Sequence, residues 1–192
     1  YYFTPDKLEA YKDGNFLKGG IVFADAVTTV SNTYADEIKT PFYGEGLDGL
    51  LRARSNSLRG IVNGIDYNDF NPETDINLSA RYNATTFRKE KVKNKIQLQK
   101  DLGLEQDPKA MMIGIVSRLT DQKGFDLIAY IMDELCQDSV QIVALGTGDE
   151  RYENMFRHFD WKYHGKVSAQ IYYDESMSHR IYAASDAFLM PS

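Results

Sequence analysis

The stretch that decides the fold is AMMIGIVSRLTDQKGFDLIAYIMDELC, residues 110–136. It passes from a continuous apolar run through a polar turn into an amphipathic helical pattern. The same alternation continues through VQIVAL, GTGD and ERYENMFRHF at 140–159, and then through VSAQIYY, ESMSHRIYAAS and AFLMP at 167–191. Apolar strands that alternate with amphipathic helices predict an α/β fold, in which a parallel sheet carries helices on both faces.

Three polar turns follow these strands, namely SRLTDQKG, GTGD and YYDE. The carboxyl ends of parallel strands meet at one edge of a sheet, and ligands bind there in open α/β folds. We therefore expect the three turns to form one binding site.

The first part of the chain reads as shorter elements. The patterns predict helices at 15–26, 31–39 and 44–55, and strands at 26–31 and 58–62. A loop rich in Asn, Asp and Pro follows, and we place a domain boundary near Asn56, which gives domains at 1–56 and 57–192. The basic segment 85–104 predicts a surface helix with solvated lysines and Gly103 just after its C-terminus.

Composition excludes several classes of protein. The net charge of −6 gives no basic field that would attract nucleic acid or an anionic membrane, so neither is expected as a partner. No apolar run is long enough for a membrane span, and the N-terminus lacks signal-peptide features. The single cysteine, Cys136, lies in an apolar pattern and predicts a buried thiol in a reducing cytoplasm.

Two cations in one turn are the strongest candidates for chemistry. Arg118 and Lys123 stand five positions apart, just before a helix, where a cation opposes the positive end of the helix dipole. A bound anion would reverse that penalty, since free N–H groups and two cations form a phosphate site. The alternative is a solvated lysine and an arginine paired with a carboxylate such as Asp121.

The remaining motifs are individually weak. LGTGD, residues 145–149, lacks the spacing of a dinucleotide or P-loop motif, and VNGID, residues 62–66, is by itself a turn. Tyr172 or Tyr173 could offer an aromatic face to a flat ligand, and His179 is more typical of a packed histidine than of a catalyst. The histidines and cysteine show no metal-ligand spacing, and no hydrolase motif is present.

Together the motifs resemble those of bacterial glycogen synthases and plant starch synthases. They are TTVSNTYADEI, GIVNGIDYNDFNPETD, IGIVSRLTDQKGFDLI, ALGTGD and SHRIYAASDAFLMPS, in that order. The resemblance covers essentially the whole chain. It implies a B-type glycosyltransferase (GT-B) with two Rossmann-like domains facing each other across a cleft. The family transfers glucose from ADP-glucose to the non-reducing end of an α-1,4-glucan, with retention and without a metal, in the cytoplasm or, in plants, the plastid.

The resemblance also assigns roles to individual residues. Arg118 and Lys123 match the pair that holds the diphosphate and stabilises the leaving group. Tyr173 falls where the family places an aromatic ring beside the adenine. The residues expected to bind substrate are Asn63, Gly64, Asp66, Ser117, Gly146, Gly148 and Tyr173.

Two family loops have no counterpart in this sequence. The Lys-x-Gly-Gly-Leu loop is absent, because LKGG at 17–20 matches a later helix, and the glutamate-containing loop that follows the FLMPS motif lies beyond Ser192. We therefore expect an internal fragment with an incomplete second domain and about half a donor site, which alone has no synthase activity. An exposed sheet edge at AFLMP would favour homo-oligomers.

Two alternatives stay open. The turn with Arg118 and Lys123 would suit any nucleoside diphosphate, so a related transferase using UDP- or GDP-sugars is one. The other is a non-catalytic module that binds nucleotide or glucan.

Overall fold

A computed structural model describes residues 1–191 and divides the chain into two compact units, Tyr1–Ile65 and the residues from Asp66 onward. Each unit is described by itself. Within residues 1–191, no helix combines the length and the apolar character needed to cross a bilayer.

The first unit consists of short helices and strands, which include one parallel pair of strands. They are β1 (Glu9–Ala10), β2 (Asp13–Gly14), α1 (Phe16–Phe23), β3 (Val27–Thr29), α2 (Asn32–Glu37), α3 (Asp48–Ala53) and β4 (Leu58–Gly60). Ser31 begins α2 as predicted, because its side chain accepts a hydrogen bond from the Tyr34 N–H at 3.1 Å. LKGG at 17–20 lies inside α1, in agreement with its assignment to a helix.

A small apolar core holds this unit together, and it consists of Ala35, Ile38, Leu51 and Leu58. Strand β4 pairs in parallel with β3, with Leu58 opposite Val27 and Gly60 opposite Thr29. The expected boundary at Asn56 put this strand into the second domain, whereas its partner strand and its core contacts lie in the first unit.

The second unit is built on a four-stranded parallel sheet in the order β7-β6-β5-β8. Its elements are α4 (Phe87–Asp101), β5 (Met111–Val116), α5 (Phe125–Leu135), β6 (Val140–Leu145), α6 (Glu150–Lys162), β7 (Val167–Gln170), α7 (Glu175–Ala184) and β8 (Ala187–Phe188). This order of strands and helices confirms the predicted α/β fold. Strand β8 is shorter than AFLMP, since only Ile113 and Gly114 of β5 pair with it.

Helices cover both faces of this sheet, as predicted. On one face, Ile113, Ile115 and Ile142 pack against α5 and α6. On the other, Met112 and Val143 pack against α4 and α7. Alternate residues of one strand point to opposite faces, so a strand buried on both sides must be apolar throughout.

The lysines of α4 are not all solvated. Lys91 Nζ donates to the carbonyl oxygens of Tyr182 and Ala183, at 3.1 and 2.8 Å, at the C-terminal end of α7. Lys95 is only 5% exposed, and its Nζ lies 2.5 Å from Asp186 Oδ2 and 3.0 Å from the Ala110 oxygen. The prediction of a solvated lysine face is therefore wrong for these two residues, because α4 packs against α7. Lys91 satisfies the last carbonyl groups of α7, and Lys95 binds Asp186, which follows that helix.

Candidate functional site

The turns after β5 and β6 lie side by side at the carboxyl edge of the sheet. The Leu119 N–H donates to the Thr147 oxygen at 2.9 Å, and the Asp149 N–H donates to the Leu119 oxygen at 2.7 Å. The Gly146 N–H donates to the oxygen of Gln170, the last residue of β7, at 3.1 Å. The three turns therefore converge, as their positions after parallel strands predict.

Two glycines make this close approach of the turns possible. A Cβ atom on Gly146 would lie 1.9 Å from the Ser117 oxygen, and one on Gly148 would lie 2.3 Å from the Leu119 oxygen. No side chain fits at such distances from backbone atoms. In this structure Gly146 and Gly148 thus bring the GTGD turn against the SRLT backbone, and they help to set the position of Arg118.

A pocket of about 290 Å³ opens at this edge, between the ends of β5 and β6 and the start of α7. Four of the predicted site residues line it, and they are Ser117, Arg118, Gly146 and Tyr173. Lys123 and Ser117 line a neighbouring recess of about 90 Å³, together with Phe125 and residues 189–191. The structure thus places the two cations beside adjoining recesses that share Ser117.

The side chains of the two cations are free of polar contacts in the described part of the chain. Within residues 1–191, Arg118 and Lys123 form no side-chain hydrogen bond or ion pair. The Asp121 carboxylate, which the alternative interpretation offered to Arg118, instead accepts hydrogen bonds from Arg151 and Tyr152. That particular pairing is wrong, and among residues 1–191 the two positive charges at the sheet edge have no ion-pair partner.

The helix that follows supplies free donors. Lys123 ends a short 3₁₀ turn, Asp121–Lys123, Gly124 adopts a left-handed conformation with φ of 68°, and α5 begins at Phe125. Among the residues described, the N–H groups of Phe125 and Asp126 have no acceptor, as is normal in the first turn of a helix. Lys123 precedes the helix instead of lying in its first turn, and it stands next to these donors. Such a combination suits an anion.

The two tyrosines after β7 differ in exposure and in hydrogen bonding. Tyr173 is 86% exposed and lines the pocket, so one face of its ring is open to a flat ligand. The Tyr172 hydroxyl is held at 2.9 Å by Gln170 Oε1, and burial raises the pKa of this phenol. Asp174 caps α7, since its Oδ1 accepts from the Met177 N–H at 2.6 Å. Tyr173 is therefore better suited than Tyr172 to contact a base.

The VNGID segment is divided between the two units. Asn63 and Gly64 are exposed residues of the first unit, whereas Asp66 begins the second. Asp66 Oδ1 accepts from the Asn68 N–H at 2.8 Å, and Asp66 does not line the pocket. The substrate contacts expected of these three residues remain predictions.

One residue that lines the pocket, Phe70, belongs to a cluster that the sequence did not indicate. Phe70 lines the pocket and stacks on the ring of His179, with 4.8 Å between centroids and an interplanar angle of 17°. His179 Nδ1 lies 2.6 Å from Asp75 Oδ2, and the two side chains are only 6% and 7% exposed. His179 is thus a packed histidine, as expected. Its partner Asp75 lies 104 positions away, and no local pattern could identify it.

No group of three or more His, Cys, Asp and Glu side chains in the described part of the chain is arranged to hold a metal ion. The metal-free reaction of the resembling family stays an expectation for this chain.

Comparisons with known proteins agree with the fold and with the motifs. The model of the starch synthase catalytic domain matches residues 1–53. Glycogen synthase from Lachnospira eligens is 72% identical over 191 residues, which cover 100% of this chain and 40% of the relative. Glycogen synthase from Thermotoga petrophila is 52% identical over 192 residues, which cover 100% of the chain and 39% of the relative.

Solved structures give the same answer. The catalytic domain of starch synthase IV from Arabidopsis thaliana, bound to ADP and acarbose, superimposes with a TM-score of 0.92 at 38% identity. This match covers 100% of the chain and 40% of the neighbour. The chain spans about two fifths of the length of its curated relatives, in agreement with the expected partial second domain. Over its whole length, the chain is similar to glycogen synthases and to a starch synthase catalytic domain.

Proposed function

We propose that the whole synthase containing this chain transfers glucose from ADP-glucose to the non-reducing end of an α-1,4-glucan, with retention of anomeric configuration. The observation that carries this proposal is the pair of cations, Arg118 and Lys123, which line adjoining recesses at the carboxyl edge of the parallel sheet and have no ion-pair partner within residues 1–191. The similarity of the full chain to glycogen synthases supports it. The cytoplasmic location and the homo-oligomer remain predictions.

The cations would act on the leaving group. When the bond between glucose and the diphosphate breaks, negative charge develops on the departing phosphate oxygen. Arg118, Lys123 and the free N–H groups of Phe125 and Asp126 are fixed donors that can stabilise this charge without a proton transfer. Positive charge that acts more strongly on the developing anion than on the bound substrate lowers the barrier.

The pocket would receive the nucleoside. Tyr173 offers an exposed aromatic face for the base, and Phe70, which stacks on His179, lines the same pocket. Ser117 lies between the two recesses and would contact the ligand where the nucleoside joins the diphosphate. The glycines would hold the two turns at the spacing that this ligand requires.

Nucleotide binding tests the proposal on the chain itself. We expect ADP to bind in isothermal titration, and Arg118→Ala to weaken binding at least about tenfold, because a charge-assisted contact is lost. Arg88→Ala is the matched control, since Arg88 is an exposed arginine on α4 that lines neither recess. An equal loss of affinity in both variants would contradict the assigned role of Arg118.

Competition among nucleotides separates this proposal from the related transferases. We expect ADP to displace a fluorescent ADP analogue more effectively than UDP or GDP. Stronger displacement by UDP or GDP would favour a transferase for another sugar nucleotide. Saturable binding by a whole synthase that shows no glucosyl transfer would instead favour a non-catalytic module.

The chain alone is expected to be inactive. It carries the cations, but the family's glutamate-containing loop and Lys-x-Gly-Gly-Leu loop have no counterpart in its sequence. Incorporation of radiolabelled glucose from ADP-glucose into glycogen should therefore equal that of a Lys123→Ala variant. Turnover well above this control would show that the missing loops are dispensable.

A further inference from the structure

Helix α6 holds an aspartate at each of its ends. At its start, Arg151 and the Tyr152 hydroxyl donate to Asp121 Oδ1, the latter at 2.5 Å, and the Arg151 guanidinium lies 4.6 Å from the Tyr152 ring centroid. We call these three residues the Asp121 clamp. It joins α6 directly to the 3₁₀ turn that carries Lys123.

The other end repeats the arrangement away from the pocket. Lys162 and the Tyr163 hydroxyl donate to Asp133 Oδ1 at 2.6 and 2.5 Å, and Lys162 Nζ lies 5.3 Å from the Tyr163 ring centroid. We call this set the Asp133 clamp. In both clamps, the hydrogen bond to the carboxylate raises the pKa of the tyrosine. Asp133 lies near the C-terminal end of α5, so this clamp contacts neither recess.

The turn with Lys123 has few other attachments to the fold. Buried Leu119 anchors it on one side. On the other side, Phe125 is buried against Tyr152 and Phe156, at centroid distances of 5.5 and 5.7 Å. Between these anchors, Gly124 lies against Pro191, and Asp121 forms the side-chain hydrogen bonds to another element in the described structure. The clamp thus supplies the side-chain hydrogen bonds that attach this turn to a neighbouring helix.

We propose that Tyr152 and Arg151 are positioning residues that hold the Asp121–Lys123 turn, and with it Lys123 and the free N–H groups of α5, in the geometry that binds the diphosphate. Arg151 has a second task here. Asp121 carries a negative charge two positions from Lys123, and this charge would repel a diphosphate. The guanidinium of Arg151 offsets it while Lys123 stays unpaired.

This inference rests on the proposed function for the identity of the ligand, but its first test needs no ligand. The Lys123 and Gly124 amides donate to the oxygens of Thr120 and Asp121, at 3.0 and 3.1 Å, and report on the turn. In the double variant Arg151→Gln, Tyr152→Phe, we expect these two amides to exchange hydrogen about 5- to 10-fold faster, as for the loss of one or two exposed hydrogen bonds. The Phe ring keeps the packing on Phe125.

The matched control is Lys162→Gln, Tyr163→Phe, which removes the same hydrogen bonds from the Asp133 clamp. Exchange of the Lys123 and Gly124 amides should stay at the wild-type rate in this variant. Unchanged exchange in the Asp121-clamp variant, or an equal increase in both variants, would overturn the inference. Asp121→Asn keeps an acceptor oxygen for Tyr152. The Lys123 and Gly124 amides should therefore exchange more slowly in this variant than in Asp121→Ala.

Titration with ADP then tests the functional consequence. We expect the Asp121-clamp variant to bind ADP about 3- to 10-fold more weakly than wild type, with the Asp133-clamp variant unchanged and the two melting temperatures alike. Wild-type affinity in the Asp121-clamp variant would refute the positioning role. If the wild-type chain binds no ADP while the amides of the turn respond as expected, the proposed ligand is wrong and the clamp stands.

Discussion

Replacing Lys123 by alanine in a whole synthase that contains this chain is expected to lower the rate of glucosyl transfer by about 10²–10³-fold, the usual effect of removing one preorganised donor from a developing anion. Lys123 forms no ion pair within residues 1–191 and lines the recess next to the first turn of α5. The substitution would therefore break no ion pair or side-chain hydrogen bond among the described residues. The loss should appear as a lower rate in an otherwise stable protein.

The measurement is kcat/KM for ADP-glucose, together with the melting temperature. Lys93→Ala is the matched control, because Lys93 is an exposed lysine that pairs with Glu90 on α4, away from the recesses. We expect this control to retain the wild-type rate. A Lys123→Ala variant that transfers glucose within about threefold of the control would refute the leaving-group role.

Replacing Asp75 by alanine is expected to destabilise the second unit by about 3 kcal/mol, as in other proteins in which one member of a buried pair is removed. His179 would lose its partner while its ring stays buried under Phe70. Urea unfolding at neutral pH gives the free energy of unfolding, and Asp138→Ala, at an exposed carboxylate, should change it by less than about 0.5 kcal/mol. Equal effects of the two substitutions would contradict the importance of the pair.

The stability that the Asp75–His179 pair contributes should depend on pH in the acid range. Burial opposes ionisation of Asp75, but hydrogen bonds from His179 and from the Asn77 N–H outweigh it, so the pKa of Asp75 is lowered. A lowered pKa stabilises the fold at pH values above the unfolded value of about 3.9, and this contribution is lost as the pH falls through the lower folded value. The difference in unfolding free energy between wild type and Asp75→Ala should therefore shrink in that acid range.

The sheet of the second unit was predictable because its strands are buried on both faces. Met111–Val116 and Val140–Leu145 are almost wholly apolar, and a strand covered on both sides permits little else. Strand β8 was overestimated, because the length of an edge strand depends on how many residues its neighbour can pair. The apolar character of a segment does not predict how many of its residues will pair.

The sequence did not predict which side chains of different elements form pairs. Lys95 was expected in solvent because α4 is rich in lysine, but packing against α7 brings it to Asp186, 91 positions away. Asp121 was offered to Arg118 on proximity along the chain, yet α6 supplies its partners. A pairing between elements depends on how they pack, and a charge pattern within one element does not contain that information.

The site itself was predictable in outline. Arg118, Ser117, Gly146 and Tyr173 line one pocket because the turns after parallel strands share an edge. The glycines were expected to let backbone approach a ligand, and the structure shows them in close contact with the neighbouring turn. Phe70 was missed, since it enters the pocket only through its stacking on His179.

Arg118 and Lys123 are proposed to hold the diphosphate of the nucleotide. This role is tested by titrating the wild-type chain and the Arg118→Ala, Lys123→Ala double variant with ADP and with adenosine. We expect wild type to bind ADP at least about 100-fold more tightly than adenosine, as for two charge-assisted contacts, and the double variant to lose most of this preference. A double variant that still prefers ADP over adenosine as strongly as wild type does would contradict it.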